Sequence, residues 1–289
     1  MGDHSRGPRG ASSSWASAAS SFQLLVALST FAGGRLWGVR YGTGTPWILA
    51  LHGWGRDHAD FDAVLGGLDA IALDLPGHGA APEPPGPWST AEYAQWVAPV
   101  LGDMGTEPVV IAGHSFGGRV ALRLAALALE DGAGDGLSDR LAGLVLVGTP
   151  LASPPGHKGN RIAVRYRLGR VLHDSGLLSA SRMERLRLQH GSDDYKRSSP
   201  VMRGVLVKAV NETASGQYLP LLRAWVAAGK SLEVICGEHD TAAPAAALRA
   251  ATRDVPSVTM TVVPGAGHLM NAGVVAALEA ALLRQRPGS

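Results

Sequence analysis

Short apolar segments alternate with longer amphipathic segments along almost the whole chain. Segments of strand length lie at residues 22–29, 34–42, 46–53, 69–77, 108–115, 141–150, 231–240 and 257–268. The last six are continuous apolar runs rather than alternating ones, which is typical of strands covered by helices on both faces. The first two predict an antiparallel pair joined through Gly33 and Gly34. We therefore expect an α/β fold with an eight-stranded, mostly parallel sheet and helices on both of its faces.

Patterns of helical period fill the gaps between these strands. They cover residues 89–101, 117–130 and 271–285. Ser89 and Glu92 have the spacing of a capping box, and Asn271 is a favourable N-cap residue. The sequence therefore predicts both the helices at 89–101 and 271–285 and the residues at which they begin.

One gap is far longer than a single crossover helix requires. It contains four helical patterns, at residues 160–175, 181–190, 199–212 and 216–228. Ser181 with Glu184 predicts another capping box, and Ser199 with Pro200 predicts the start of the third pattern. An insertion at the carboxyl end of a sheet strand predicts a helical cap over the ligand crevice, and we place this cap at residues 151–230.

The rest of the chain divides around this insertion. Residues 22–150 and 231–289 are expected to form the two parts of one α/β core, and residues 1–21, rich in Gly, Ser and Ala, a flexible tail. The apolar stretch 22–34 has an alternative interpretation as part of a signal peptide. We favour a strand, because the stretch is short, contains Gln23 and lacks a convincing cleavage site. No run approaches 18 uninterrupted apolar residues, so we expect no membrane span.

Composition narrows the function classes. The chain of 289 residues is 46% hydrophobic and 17% charged, with a net charge of +2, so it can form a large core and shows no excess charge that would indicate nucleic-acid binding. Cys236 is the single cysteine, which excludes an intrachain disulfide and favours a reducing, cytoplasmic location. The histidines lack metal-binding spacings, and we expect neither a metal nor a cofactor.

The apolar run at 108–115 ends in the sequence GHSFG, residues 113–117, and passes directly into a predicted helix. A G-x-S-x-G sequence between a strand and a helix is typical of a sharp turn that exposes the serine hydroxyl in strained backbone geometry. We therefore interpret Ser115 as a nucleophile rather than as an ordinary turn residue.

A nucleophilic serine requires a base and an acid that orients the base. His268 follows the last strand and Asp240 ends the strand before it, so the chain order Ser115, Asp240, His268 is the one expected for this turn. Each of the two partners has a structural alternative as a helix-capping residue. Glu238 is a second candidate for the acid if its strand ends earlier.

Backbone amides complete the predicted site. The third strand ends at His52, Gly53 and Trp54, and the N–H groups of Trp54 and Phe116 are expected to form an oxyanion hole. The indole ring of Trp54 has two open interpretations, as a wall of the acyl pocket or as core packing.

The segments LHGWG, DLPGHG, GHSFGG, GEHD and GAGHL, in this order, resemble the α/β-hydrolase superfamily over residues 22–286. The resemblance implies a serine hydrolase with a catalytic triad, similar to small carboxylesterases, that cleaves a small or acyl-chain ester through an acyl-enzyme. Carbon–carbon bond hydrolases share this fold and triad, and a non-catalytic homologue would keep the pocket without turnover. Both remain alternatives.

Charge is distributed unevenly along the chain. Residues 151–230 carry 14 Lys and Arg against 5 Asp and Glu, a net charge of +9, whereas the remainder carries 12 against 19, a net charge of −7. Arg161 and Arg165 share one helical face, and Arg182 and Arg185 share another. The simpler interpretation is a set of solvated helix faces. The alternative is that the cap attracts an anionic substrate or an acidic partner such as an acyl carrier protein.

Overall fold

The computed structural model describes residues 27–130, 136–153 and 193–287, together with residues 179, 181, 182 and 185. Its strands are β1 (Leu28–Phe31), β2 (Leu36–Tyr41), β3 (Ile48–Leu51), β4 (Ala70–Asp74), β5 (Val109–His114), β6 (Leu141–Val147), β7 (Ser231–Gly237) and β8 (Val258–Val263). They form one sheet in the order β1-β2-β4-β3-β5-β6-β7-β8. Only β2 runs against its neighbours in this sheet, so the predicted eight-stranded, mostly parallel arrangement is confirmed.

The first strand lies later in the chain than the hydrophobic pattern predicts. The predicted segment 22–29 overlaps β1 only at Leu28 and Ser29, and residues 22–26 lie outside the described residues. Pairing with β2 sets this position, because the Phe31 carbonyl accepts hydrogen bonds from the N–H groups of Gly34 and Arg35, both at 3.1 Å, and these bonds close the turn. The predicted antiparallel pair joined through the two glycines is confirmed.

Helices connect the strands. They are α1 (Asp62–Leu65), α2 (Thr90–Val97), α3 (Phe116–Glu130), α4 (Leu137–Arg140), α5 (Asp193–Arg197), α6 (Pro200–Ala214), α7 (Tyr218–Ala227), α8 (Ala245–Thr252) and α9 (Ala272–Arg284). The hydroxyls of Ser89 and Ser199 and the Asn271 side-chain oxygen cap α2, α6 and α9 as predicted. The hydrophobic pattern does not predict α1, α4, α5 or α8.

Alternate residues of the central strands face two separate apolar layers. In β5, Val109 and Ile111 pack with residues of α2 and α3, whereas Val110 and Ala112 pack with residues of α1 and α9. Because both faces of the sheet are covered, these strands are apolar throughout, which explains the continuous runs in the sequence.

The described part of the inserted segment between β6 and β7 contains the helices α5, α6 and α7. The predicted helix at 160–175 lies outside the described residues, as does Glu184 of the predicted capping box, whereas Ser181 is described and helical. Helix α7 packs against α3 and buries Tyr218 and Trp225 in the same apolar layer. No helix in the described ranges is long and apolar enough to cross a bilayer.

Gly117 lies where α3 leaves β5, in very close contact with the end of β3. A Cβ atom at Gly117 would lie 2.1 Å from the Leu51 carbonyl oxygen and 2.5 Å from that of His52. Backbone atoms of a buried strand have little freedom to move away, so we expect Gly117→Ala to lower the free energy of unfolding by about 2–3 kcal/mol in urea titrations.

Gly67→Ala is the matched control for this substitution. Nothing lies within 4 Å of the Cβ that it would add. Its free energy of unfolding should therefore stay within about 0.5 kcal/mol of the parent. Equal stability of the two variants would show that the close approach at Gly117 does not constrain the fold.

Candidate active site

Ser115 occupies the turn between β5 and α3 in a backbone conformation that only glycine adopts without strain. Its φ is +51°, in the left-handed region. The turn is held by two hydrogen bonds, from Ser115 N–H to the Val147 carbonyl at 2.8 Å and from Gly117 N–H to the His52 carbonyl at 3.0 Å. Hydrogen bonds to β6 and to the end of β3, the two strands beside β5, therefore hold the strained turn in place.

Ser115, His268 and Asp240 form a continuous chain of hydrogen bonds. Ser115 Oγ lies 2.9 Å from His268 Nε2, and His268 Nδ1 lies 2.8 Å from Asp240 Oδ2. The other carboxylate oxygen of Asp240 accepts hydrogen bonds from the N–H groups of Ala242 and Ala243, both at 2.8 Å. The carboxylate is thus held in place by the loop that follows β7.

The charge state of Asp240 decides which atoms carry the protons in this chain of hydrogen bonds. Burial would raise the pKa of the carboxyl, but hydrogen bonds from His268, Ala243 and Ala242 together hold its pKa below the ordinary value. An ionised carboxylate only accepts hydrogen bonds, so Nδ1 of His268 carries a proton and Nε2 faces the Ser115 hydroxyl with its lone pair. The imidazole is therefore oriented to accept the serine proton.

Glu238 is not part of this chain of hydrogen bonds. Its side chain is exposed, and Oε2 accepts a hydrogen bond from Gly265 N–H at 2.9 Å. The structure brings Asp240, and not Glu238, to the His268 ring.

Trp54 and Phe116 line the same cavity as Ser115. Within the described residues, neither backbone N–H has a hydrogen-bond acceptor. The Trp54 indole packs edge-on against the rings of Phe116 and His78, at 5.3 and 5.0 Å between centroids, and also faces the cavity. The ring therefore packs against the apolar layer and also lines the cavity, and its role as a wall of an acyl pocket stays a prediction.

His52 orients the peptide that contains the Trp54 N–H. Its ring is fully buried, its Nδ1 donates to the Gly53 carbonyl at 2.7 Å, and its Nε2 accepts from Leu75 N–H at 2.9 Å. Burial lowers the pKa of His52 to about 3, so the ring stays neutral and keeps this pair of bonds. Because N–H and C=O point in opposite directions across a trans peptide, the Trp54 N–H is turned away from His52.

His114 supports the loop that carries His268. Its Nε2 donates to the His268 carbonyl at 3.0 Å, and its Nδ1 lies 3.4 Å from Asp60 Oδ2. His52 directly precedes Gly53, and His114 directly precedes Ser115. Each of the two histidines orders a loop of the site through its ring hydrogen bonds. No group of three or more His, Cys, Asp or Glu side chains in the described ranges forms a metal site.

A cavity of about 630 Å³ opens at the carboxyl ends of the strands, next to Ser115 and His268. Most of its wall is apolar, and α6 contributes Leu206 and Val210 to it. One charged residue of α3, Arg119, also reaches this cavity and is not among the residues that the sequence motifs indicate. Its signal in the sequence is its spacing of four residues from Ser115, which places both on one face of the helix turn.

A model of the alpha/beta hydrolase family matches residues 48–278. The chain belongs to this family. An esterase of Mycobacterium tuberculosis is 38% identical to this α/β-hydrolase over 98 residues, 33% of this chain and 33% of the esterase. A lipase of the same organism is 36% identical over 117 residues, 39% of this chain and 41% of the lipase. The matched part of the chain thus spans less than half the length of either curated relative.

Solved structures show the same fold as this α/β-hydrolase. The monoacylglycerol lipase of Paleococcus ferrophilus superimposes with a TM-score of 0.60 and 22% sequence identity, covering 87% of this chain and 99% of the lipase. The predicted membership of the superfamily and the predicted fold class are confirmed.

Proposed function

We propose that this α/β-hydrolase cleaves a carboxylic ester of a small or acyl-chain substrate through an acyl-enzyme. The observation that carries the proposal is the hydrogen-bonded chain from Ser115 through His268 to Asp240 beside an open cavity. Nucleophile, base and orienting acid are the three groups that acyl transfer to a serine requires.

In the proposed reaction the Ser115 hydroxyl attacks the ester carbonyl and passes its proton to His268 Nε2. The N–H groups of Trp54 and Phe116 stabilise the negative charge that develops on the carbonyl oxygen. His268 then donates its proton to the departing alcohol, which leaves the acyl group on Ser115. Water attacks this ester with His268 as base, and the acid is released with Ser115 regenerated. Asp240 stabilises the imidazolium in both halves of the reaction.

Labelling with a fluorophosphonate probe tests whether Ser115 is an activated nucleophile. The probe should label the parent protein at Ser115, since it reacts with serines that a neighbouring base activates. A panel of 4-nitrophenyl esters of increasing acyl length, assayed beside a dienolic ketone, then separates ester cleavage from carbon–carbon bond cleavage. Ketone turnover without ester turnover would contradict the proposal, and the absence of both labelling and turnover would favour a non-catalytic binding protein.

We also propose that the basic segment 151–230 attracts anionic substrates or an acidic partner such as an acyl carrier protein. Its net charge is +9 in a chain whose net charge is +2. Arg182 and Arg185 are exposed, whereas Arg161 and Arg165 lie outside the described residues. Attraction of this kind raises association rates and weakens as salt screens the charges.

Salt dependence tests this attraction. From low salt to above physiological ionic strength, kcat/KM should decline about tenfold for an anionic ester and stay level for a neutral one. Arg182→Glu should reduce the decline, whereas Arg253→Glu, an equal change of charge on an exposed residue outside the segment, should leave it unchanged. Parallel salt curves for both esters would contradict steering of small anions and leave binding of a carrier protein to be measured directly.

A further inference from the structure

Arg119 lies one helical turn after Ser115 and shares its cavity. Its N–H donates to the Ser115 carbonyl at 3.4 Å, which is the hydrogen bond of one α-helical turn. The side chain is only 8% exposed, and it lines the cavity together with Ser115 and His268. Arg119 therefore borders the space in which the proposed ester would bind.

The guanidinium of Arg119 has almost no partners in the described part of the chain. Its one hydrogen bond joins Nε to the Pro150 carbonyl at a long 3.4 Å, and no carboxylate lies within salt-bridge distance. Its terminal nitrogens have no acceptor among the described residues, and Arg119 lines the cavity. The cavity has a second arginine, Arg56, but that side chain pairs with Asp60 at 2.6 Å.

Glu212 acts on Arg119 electrostatically, but its carboxylate forms its hydrogen bonds with other residues. Glu212 is buried, and its carboxylate accepts hydrogen bonds from the hydroxyls of Thr90 at 2.5 Å and Tyr218 at 2.6 Å. Arg123 lies 3.9 Å from the same carboxylate. Within the described residues, no carboxylate is in direct contact with Arg119.

A buried cation without a partner is costly, so its presence requires a compensating group. Burial lowers the pKa of Arg119, and the nearby Tyr218 and Glu212 oppose this effect. An arginine nevertheless stays protonated in proteins, since it cannot lose its charge as a buried lysine does. An anion within the cavity would compensate this charge, and the planar guanidinium matches a carboxylate in particular.

We propose that Arg119 binds a carboxylate of the substrate, so that the preferred ester carries an anionic group about one helical turn from the reacting carbonyl. This inference rests on the proposed function. One turn of helix rises about 5.4 Å, so a spacer of a few atoms separates the ester from the carboxylate. Phe116, Leu206 and Val210 line the rest of this space and suit an apolar spacer.

Two pairs of matched esters test the inference and distinguish the side of the ester that carries the anion. For the acyl side, 4-nitrophenyl hydrogen glutarate is compared with 4-nitrophenyl valerate, which has a methyl group in place of the carboxylate. For the alcohol side, 4-(acetoxymethyl)benzoate is compared with 4-methylbenzyl acetate. Assays are made above physiological ionic strength, where attraction by surface charge is screened.

The parent enzyme should prefer the anionic member of one pair by about 10- to 100-fold in kcat/KM. In Arg119→Met this ratio should fall to near one, mainly through a higher KM for the anionic ester, because a ground-state contact is lost. Arg119→Lys should give an intermediate ratio, since it keeps the charge but not the paired donors. Arg223→Met removes an equal charge from an exposed site and should leave the ratio unchanged.

The two proposals fail in different ways. Turnover of the neutral esters with no preference for either anionic ester would overturn the role of Arg119 and leave the esterase proposal intact. An anionic preference that persists in both Arg119 variants would also overturn it. Absence of turnover for all four esters and of fluorophosphonate labelling would remove the proposed function itself.

Discussion

Ser115→Ala should reduce kcat by about 10⁶ without loss of the fold. The hydroxyl lies 2.9 Å from His268 Nε2, and we propose that it forms the covalent bond to the acyl group. Alanine should be no more strained than serine in this turn, and the backbone hydrogen bonds to Val147 and His52 do not involve the side chain. We therefore expect the substitution to remove the nucleophile and to keep the fold. Steady-state rates with the best 4-nitrophenyl ester, together with circular dichroism and the thermal midpoint, measure the two parts of this expectation.

Ser153→Ala is the matched control for the nucleophile. Ser153 lines the same cavity, but it has no hydrogen bond to His268. We expect its variant to keep kcat within a few-fold of the parent and to retain labelling by the fluorophosphonate. A Ser115→Ala enzyme that kept a tenth or more of its activity would contradict the nucleophilic role.

Asp240→Asn should reduce kcat by about 10⁴. The Asn side chain can present its N–H₂ group to His268 Nδ1, which then places the imidazole proton on Nε2, where it faces Ser115. In this tautomer the ring cannot accept the serine proton. The backbone amides of Ala242 and Ala243 still have an oxygen to donate to, so we expect the loop to keep its position.

Glu238→Gln separates the two candidate acids. Its carboxylate accepts a hydrogen bond from Gly265 N–H at the surface, and the amide oxygen of Gln can replace this contact. We expect activity within a few-fold of the parent, measured with the same ester and at the same pH as Asp240→Asn. A severe loss at Glu238 combined with a mild loss at Asp240 would mean that the orienting acid lies at the other position.

Much of the fold could be predicted because it depends on local pattern. Continuous apolar runs marked the buried strands. Ser89, Ser199 and Asn271 marked helix starts, because each accepts a hydrogen bond from the amide three residues later. The position of β1 could not be predicted in this way. Its bounds depend on pairing with β2 around the turn at Gly33 and Gly34, which is a contact between strands.

The sequence by itself also determined the identity of the candidate site residues. A G-x-S-x-G turn between a strand and a helix requires its residues at neighbouring positions, so Ser115 is recognisable from five letters and their context. Chain order then indicated His268 and an acid near residue 240, because both follow strands whose carboxyl ends meet at one edge of a parallel sheet.

Only the tertiary structure decided which acid faces His268 and what surrounds Ser115. Asp240 and Glu238 are two residues apart, and the loop after β7 turns one carboxylate inward and the other towards Gly265. The same is true of Arg119, whose lack of a directly contacting carboxylate among the described residues depends on Glu212, a residue 93 positions away by number, being bound to Thr90 and Tyr218. Burial and pairing are properties of side chains that meet from distant parts of the chain, and local sequence pattern does not encode them.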